Sequence, residues 1–210
     1  MPIWIPQEKW KDEDVFIIGG GDSLRTFNFD VLKDELTIGC NTAFSLGSDI
    51  CKICIFGDQK WYAHFLKDLP KYEGVLFTNA PQLKKASLRI PWLWYINRKE
   101  RGLHFDALGW NGNTGASAIN LALLLGAKRV FLLGFDMHLS SIGRPNWHDD
   151  IIDKPNENCY VRFLSKFKRV EVDLKKKFPN REVINISDSS GLDLFPIVGV
   201  DEFWKNRKAS

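Results

Sequence analysis

The chain has 210 residues, 44% of them hydrophobic and 26% charged, with a net charge of +3. Such a chain can bury roughly 70% of the surface its unfolded form exposes, and its composition is that of a soluble globular protein. The charge is too small and too dispersed for a nucleic-acid stripe, so no nucleic-acid partner is expected, and no run of about 18 apolar residues marks a membrane span.

The opening "MPIWIPQEKW" lacks the basic start and apolar core of a secretion signal. Cys40, Cys51, Cys54 and Cys159 do not form a disulfide framework. The single C-x-x-C has no second pair to complete a zinc site. The thiols read as buried in strands, and the expected location is cytoplasmic and reduced. Eight Trp and 13% aromatics are a high share, so some should line a ligand surface or a partner interface.

Short apolar runs bounded by charge or glycine predict buried strands at "DVFII" (14–18), "ELTIGC" (35–40), "CKICIF" (51–56) and "GVLFTN" (74–79). Between the first two, "SLRTFNFDVL" is compact enough for a short helix. Residues of about 83–111 are aromatic and basic without a clean period, which predicts a strand or two and a long loop. A buried helix follows from about Thr114 to Leu125, with Asn113 or Thr114 as its cap and Gly126 as its terminator. The strand "RVFLLG" comes next, and a polar loop spans about 137–158. Helical spacing then runs through Tyr160, Phe163, Leu164, Phe167, Val170, Leu174 and Phe178. The last strand is "EVINIS" (182–187), and "FWKNRKAS" reads as a polar end. Strands alternating with helices define an α/β fold, a doubly wound and mostly parallel sheet with helices on both faces. The whole of 1–210 reads as one domain.

Ligands in such a sheet sit at the carboxyl ends of the strands. Gly19, Gly20, Gly21, Asp22 and Ser23 follow the first strand, where glycines let backbone N–H groups approach an anion. A helix starting near Ser23 would add its dipole. The pattern is neither G-x-G-x-x-G nor a Walker loop, and a plain strand-to-helix turn is the alternative. Asn41 ends the second strand, where it can bind a sugar hydroxyl or base edge, or cap the next turn. Thr114 and Gly115 open the buried helix, and Asp136 ends "RVFLLGFD". These strand and helix ends would converge on one crevice.

Taken in order, these residues resemble the bacterial sialyltransferases that include the Campylobacter lipooligosaccharide enzymes, and the related MptE-like domains. The motif there is Gly-Asn-Gly-Pro-Ser-Leu after a strand and Cys-Asn after the next. Here it is Gly19-Gly20-Gly21-Asp22-Ser23-Leu24 and Cys40-Asn41. Thr114-Gly115 matches the Ser/Thr-Gly helix start, and Gly134-Phe135-Asp136 matches the strand ending Gly-x-Asp. The correspondence runs from about Val15 to Ile186; chains of this appearance also occur in phage genomes. The resemblance implies a Rossmann-like domain that binds a nucleotide-activated donor, a cytidine monophosphate sugar in those transferases. Gly19, Gly21, Ser23 and Asn41 would hold phosphate and ribose, with Thr114, Gly115 and Asp136 completing the pocket. Three departures stand out. Gly20 and Asp22 replace the Asn and Pro, Asn111 falls where the transferases have an Arg, and no His stands near Asn158, where their catalytic His lies. The MptE-like relatives include enzymes that transfer pyrophosphate from ATP to a pterin, so the fold does not fix the reaction.

Inverting glycosyl transfer needs a base for the acceptor proton, and His is the usual one at neutral pH. His148 in "RPNWHDD" sits beside Asp149 and Asp150, which can orient it, or can bind Mg²⁺ with it; a solvated loop is the third reading. His138 is the second candidate base, whereas His64 lies on a helix and His104 carries no signal. Arg98, Arg101 and Arg144 can steer an anion. Trp92, Trp94, Tyr95 and Trp110 can wall a sugar or base, or serve packing. The expected activity is a sialyltransferase-like glycosyl transfer from a nucleotide sugar to a glycan or small-molecule acceptor. The alternatives are a pyrophosphokinase using ATP and Mg²⁺ and a non-catalytic nucleotide-binding protein. The sequence leaves a homo-oligomer open.

Overall fold

The structure is a computed structural model that describes residues 8–150, 152 and 155–208. Most of the opening decapeptide, read above against a secretion signal, lies outside the described residues. The strands are β1 (Asp14–Ile18), β2 (Leu36–Cys40), β3 (Ile53–Phe56), β4 (Val75–Thr78) and β5 (Leu93–Tyr95), then β6 (Arg98–Lys99) and β7 (Leu108–Gly109). They continue with β8 (Arg129–Leu133), β9 (Glu182–Ile186) and β10 (Ile197–Val198). The helices are α1 (Gln59–Phe65), α2 (Lys84–Ser87), α3 (Thr114–Leu124), α4 (Glu157–Lys177) and α5 (Val200–Lys208). Eight strands form one sheet in the order β10-β9-β8-β1-β2-β3-β4-β5, every pair of it parallel. The fold is therefore an α/β, Rossmann-like, doubly wound sheet.

The near-continuous apolar strands follow from burial on both faces. Along β1, Val15 and Ile17 pack into the layer of α3 and α4, while Phe16 and Ile18 pack with α1 and α5. Asn113 caps α3 by accepting from the N–H of Ala116 at 3.1 Å. Gly126, at φ +98°, ends the helix in the left-handed conformation that glycine takes without strain. Every residue from Gly115 to Leu124 is buried. Helix α4 starts before the apolar period does, because Asn156 caps it by accepting from the N–H of Cys159 at 3.2 Å. Cys159 is thereby a half-buried helical thiol rather than a buried strand thiol.

Two further expectations are corrected. The segment after the glycines is not an α-helix but two 3-10 turns, Asp22–Leu24 and Phe29–Leu32. Asn28 breaks the run, its side chain accepting from the N–H of Asp30 at 3.1 Å, and Phe27 meets Phe29 edge to face. The C-terminal stretch is helix α5 rather than an uninvolved polar end. Trp204 stacks on Phe16 at 5.6 Å, and Arg207 pairs with Asp14 at 2.8 Å and Glu35 at 2.7 Å.

The segment between α2 and α3 is held by buried amides, as such backbone must be. Asn120 accepts from the N–H groups of His104 and Gly109 and donates to the His104 carbonyl. Asn111 closes a two-way pair with Gly102. Among the described residues, no helix is long and apolar enough to cross a membrane.

Candidate active site

Strand β1 has β2 on one side and β8 on the other, so the chain winds outward in both directions from it. The crevice at the carboxyl ends of β1 and β8 is the switch point at which doubly wound sheets bind ligands. A cleft of about 530 Å³ lies there. Its walls include Gly19, Gly20, Gly21, Asn41, Thr114, Gly115, Asp136, His138, His148 and Asp150, all singled out from sequence. Asp22 and Ser23 line a separate cavity instead. Asp149 lines neither; its carboxylate is 91% exposed and pairs with Arg25 at 2.9 Å.

The glycine turn is tied to β8 rather than left open. The N–H of Gly19 donates to the Leu133 carbonyl and that of Gly21 to the Gly134 carbonyl, both at 2.8 Å. Ser23 donates twice to Asp136, from Oγ to Oδ1 at 2.6 Å and from N–H to Oδ2 at 2.9 Å. A Cβ on Gly21 would overlap the Asp136 carboxyl group, and one on Gly19 would sit 2.6 Å from the Gly134 carbonyl oxygen. The glycines thus permit a close crossing of two chain segments. Three of the five N–H groups expected to cradle a phosphate are already spent within the protein.

Donors for an anion lie across the cleft instead. Helix α3 is eleven residues long and points its N-terminus, with Thr114 and Gly115, into the cleft, where unpaired N–H groups and the helix dipole favour negative charge. Asn41 takes φ +53°, which Asn tolerates better than most residues. It is the first residue of the 3-10 turn Asn41–Leu46, whose cap position is Cys40, and it lines the cleft.

The two histidines differ in state. His148 is half-buried, with Nδ1 enclosed and without a hydrogen-bond partner among the described residues. Burial pushes its pKa below the ordinary imidazole value, against the pull of Asp150 and Asp149. His138 is exposed and held by two carbonyls, Leu139 at Nδ1 (2.9 Å) and Ser189 at Nε2 (3.2 Å). The Ser189 hydroxyl also lies 3.3 Å from Nε2, where a neutral ring can accept from it. The Leu139 hydrogen bond raises its pKa, opposed by burial and helped by Ser189 and Asp136.

The loop carrying His148 is latched to the glycine turn. Trp147 donates from its backbone N–H to the Gly20 carbonyl at 3.1 Å and from Nε1 to the Gly19 carbonyl at 3.0 Å. Arg25 donates to the Asn146 carbonyl at 3.2 Å. Sequence reasoning missed Trp147, and it missed Tyr160, Arg162 and Phe163 at the start of α4 as cleft walls. It also missed Asp58 and Lys60, although Asp58 follows β3 by two residues, as the N-cap of α1, at the same carboxyl edge as Asn41.

Other candidates fall elsewhere. His64 is exposed on α1 against Phe65, and His104 Nε2 is bonded to the Arg101 carbonyl at 2.7 Å. Trp92, Trp94 and Tyr95 pack on the sheet, and only Trp110 of that group lines the cleft, with the Arg98 guanidinium 3.9 Å from its ring centre. Asn111, 2% exposed, is consumed by Gly102. Among the described residues, no three His, Cys, Asp or Glu side chains gather around a potential metal position.

Fold and cleft together define a Rossmann-like protein with a ligand crevice at its switch point. The same fold is found in the sialyltransferase CstII from Campylobacter jejuni in complex with cytidine-5'-monophosphate. That likeness has a TM-score of 0.56 at 16% identity over 90% of this chain and 86% of that one. CstII with CMP-3FNeuAc gives 0.51 at 13% identity, over 89% and 85%. A substituted CST-II with CMP gives 0.52 at 14%, over 90% and 88%. The chain therefore has a sialyltransferase-like fold. No protein-family model matches it, and no curated protein matches its sequence.

Proposed function

We propose that this chain is a transferase that moves a glycosyl group, with inversion, from a CMP-type nucleotide sugar to an acceptor hydroxyl. The reading treats the described residues as one nucleotide-binding domain. The observation that carries it is the pairing, in one cleft, of a histidine kept neutral by burial with the N-terminus of α3.

In this reading the donor phosphate lies at Thr114 and Gly115, not in a cradle made by the whole glycine turn. Asn41 takes a ribose hydroxyl or a base edge. The Nδ1 of His148 is enclosed, so Nε2 is the nitrogen left to take the acceptor proton. The acceptor oxygen bonds to the anomeric carbon as the carbon–oxygen bond to phosphate breaks. The electron pair leaves on the nucleoside monophosphate, whose charge the α3 dipole stabilises. His138, tied through its ring nitrogens to Leu139 and Ser189, is the second candidate for that base.

The test has two parts. A ligand at about 100 times its dissociation constant stabilises the fold by roughly 2.7 kcal/mol, so thermal unfolding is followed with CMP, UDP, GDP and ATP, each with and without Mg²⁺. A metal-independent shift with CMP is expected; a shift only with ATP and Mg²⁺ would replace this reading by pyrophosphoryl transfer. With CMP-sialic acid as donor, His148→Ala should lower turnover by about 10²–10⁴ at nearly unchanged CMP affinity. Unchanged turnover would remove His148 from the mechanism.

A further inference from the structure

Behind the Ser23–Asp136 bridge lies a second cavity, of about 680 Å³, that the donor reading does not use. It is built from the 3-10 turns after β1, the loops after β8 and β9, and the start of α5. Its chemistry is unlike that of the cleft. Four carboxylates line it, Asp22, Asp136, Asp188 and Asp201, and its walls contain no Lys or Arg. Hydroxyl groups fill much of the remainder, Ser140, Ser141 and Ser189 among them, while Phe27 and Trp204 supply aromatic surface. The cleft, by contrast, carries Lys60, Arg162 and the α3 N-terminus.

These walls sort ligands by charge. A phosphate or a sugar acid entering the second cavity would meet Asp188 and Asp201 with no Lys or Arg among the lining residues, while Asp22 is paired with Arg25 and Asp136 with Ser23. A neutral polyhydroxylated ring offers O–H donors to carboxylate and hydroxyl oxygens, and its C–H faces suit aromatic surface. Asp136 and His138 belong to both sets of walls, so the two spaces meet at those residues. We infer that the second cavity is a binding site for a neutral, hydroxyl-rich ligand, a sugar ring, distinct from the cleft and joined to it at Asp136 and His138. This goes beyond the donor reading and does not need it. Where that reading also holds, the sugar bound here is part of the acceptor.

The test uses the full chain with its tryptophans labelled with ¹⁵N and follows indole N–H resonances. Trp204, whose Nε1 is buried without a partner among the described residues, reports the cavity, and its peak is assigned from Trp204→Phe. Trp110 lines the cleft and reports CMP. A neutral probe, methyl β-glucopyranoside or N-acetyllactosamine, should move the Trp204 peak saturably in the millimolar range, and free sialic acid should not. Thr26 and Ser141 are exposed at the rim, so Thr26→Trp and Ser141→Trp should fill the cavity and abolish that response while leaving melting temperature and the CMP response unchanged. No saturable movement with either neutral sugar up to tens of millimolar would overturn the inference. So would a response that survives both filled variants, or an equal response to sialic acid. A chain that answers the sugar but not CMP overturns the donor reading and keeps this site; the converse overturns this site alone.

Discussion

The indole Nε1 of Trp147 donates to the carbonyl oxygen of Gly19 at 3.0 Å, so the neighbour of the candidate base is bonded to the turn that ends β1. The ring also packs on Phe29 at 5.3 Å. Trp147→Phe keeps an aromatic ring there and removes the donor, at a cost of about 1 kcal/mol. Steady-state kinetics should then show turnover reduced several-fold with a modest loss of thermal stability. Wild-type turnover would mean that the backbone bond to Gly20 and the Arg25 contacts suffice to position the loop.

Gly21→Ala tests the crossing of β1 and β8. The added methyl has no room beside the Asp136 carboxyl group, and overpacking of this kind costs about 1–3 kcal/mol. The Ser23–Asp136 pair must separate to admit it. Calorimetry should show weakened CMP binding together with a lowered melting temperature. Unchanged affinity would detach the turn from the nucleotide site.

Asp173 is 1% exposed and accepts from the N–H of Leu103 and from Lys177, each at 2.9 Å, with Arg169 at 3.2 Å. Burial raises its pKa, but the Lys177 hydrogen bond, the Leu103 N–H and the neighbouring cations outweigh that and hold it below its ordinary value. Asp173→Ala leaves the buried Leu103 N–H without its acceptor, while Lys177 keeps the Leu103 carbonyl, and should cost about 1–3 kcal/mol. Because the folded pKa is depressed, this contribution is present above the unfolded carboxylate value and is lost as pH falls through the folded one. Urea unfolding of wild type and variant at neutral and acid pH should therefore converge on the acid side.

The histidines predict a pH profile. With His148 acting as the proposed base in its neutral form, kcat/KM should fall on the acid side of the ordinary imidazole value of about 6.5 and be level at pH 7. Residual activity of His148→Ala should lack that limb. For stability the two rings act in opposite senses. His148, depressed by burial, contributes above about pH 6.5 and loses that contribution as pH falls through its folded value. His138, raised by the Leu139 carbonyl, contributes below about pH 6.5 and loses it as pH rises through its folded value. An acid limb that persists in His148→Ala would assign it to another group.

The strands and α3 were legible because their signals are local. β3 is an unbroken apolar run, β1 and β8 are apolar after their first residue, and Asn113 and Gly126 mark both ends of α3 by their own conformational preferences. Helix α5 was also written locally, with Val200, Phe203, Trp204 and Arg207 spaced for one face, but its polar residues masked the stripe. The site was legible only in part. The sequence places glycines and polar residues at strand ends, yet which N–H groups stay open depends on Leu133 and Gly134, more than a hundred positions away. The partner of Ser23 lies 113 residues along the chain. Trp147 likewise has its role only once the loop after β8 has folded back on the glycines.

Strand β1 lies inside the sheet, but its partner on one side is β8, and the Asp14–Arg129 ion pair across that junction spans 115 residues. During synthesis, then, Val15 to Ile18 leave the ribosome able to pair with β2 while their other side stays open until residue 133 has been made. Domains form from the N-terminus as the chain emerges at about 5–20 residues per second, so that interval lasts several seconds. An open apolar edge of this kind is a template for a neighbouring nascent chain on the same message. A ribosome stalled within α3 would hold the edge exposed, and one released past β8 would let it close.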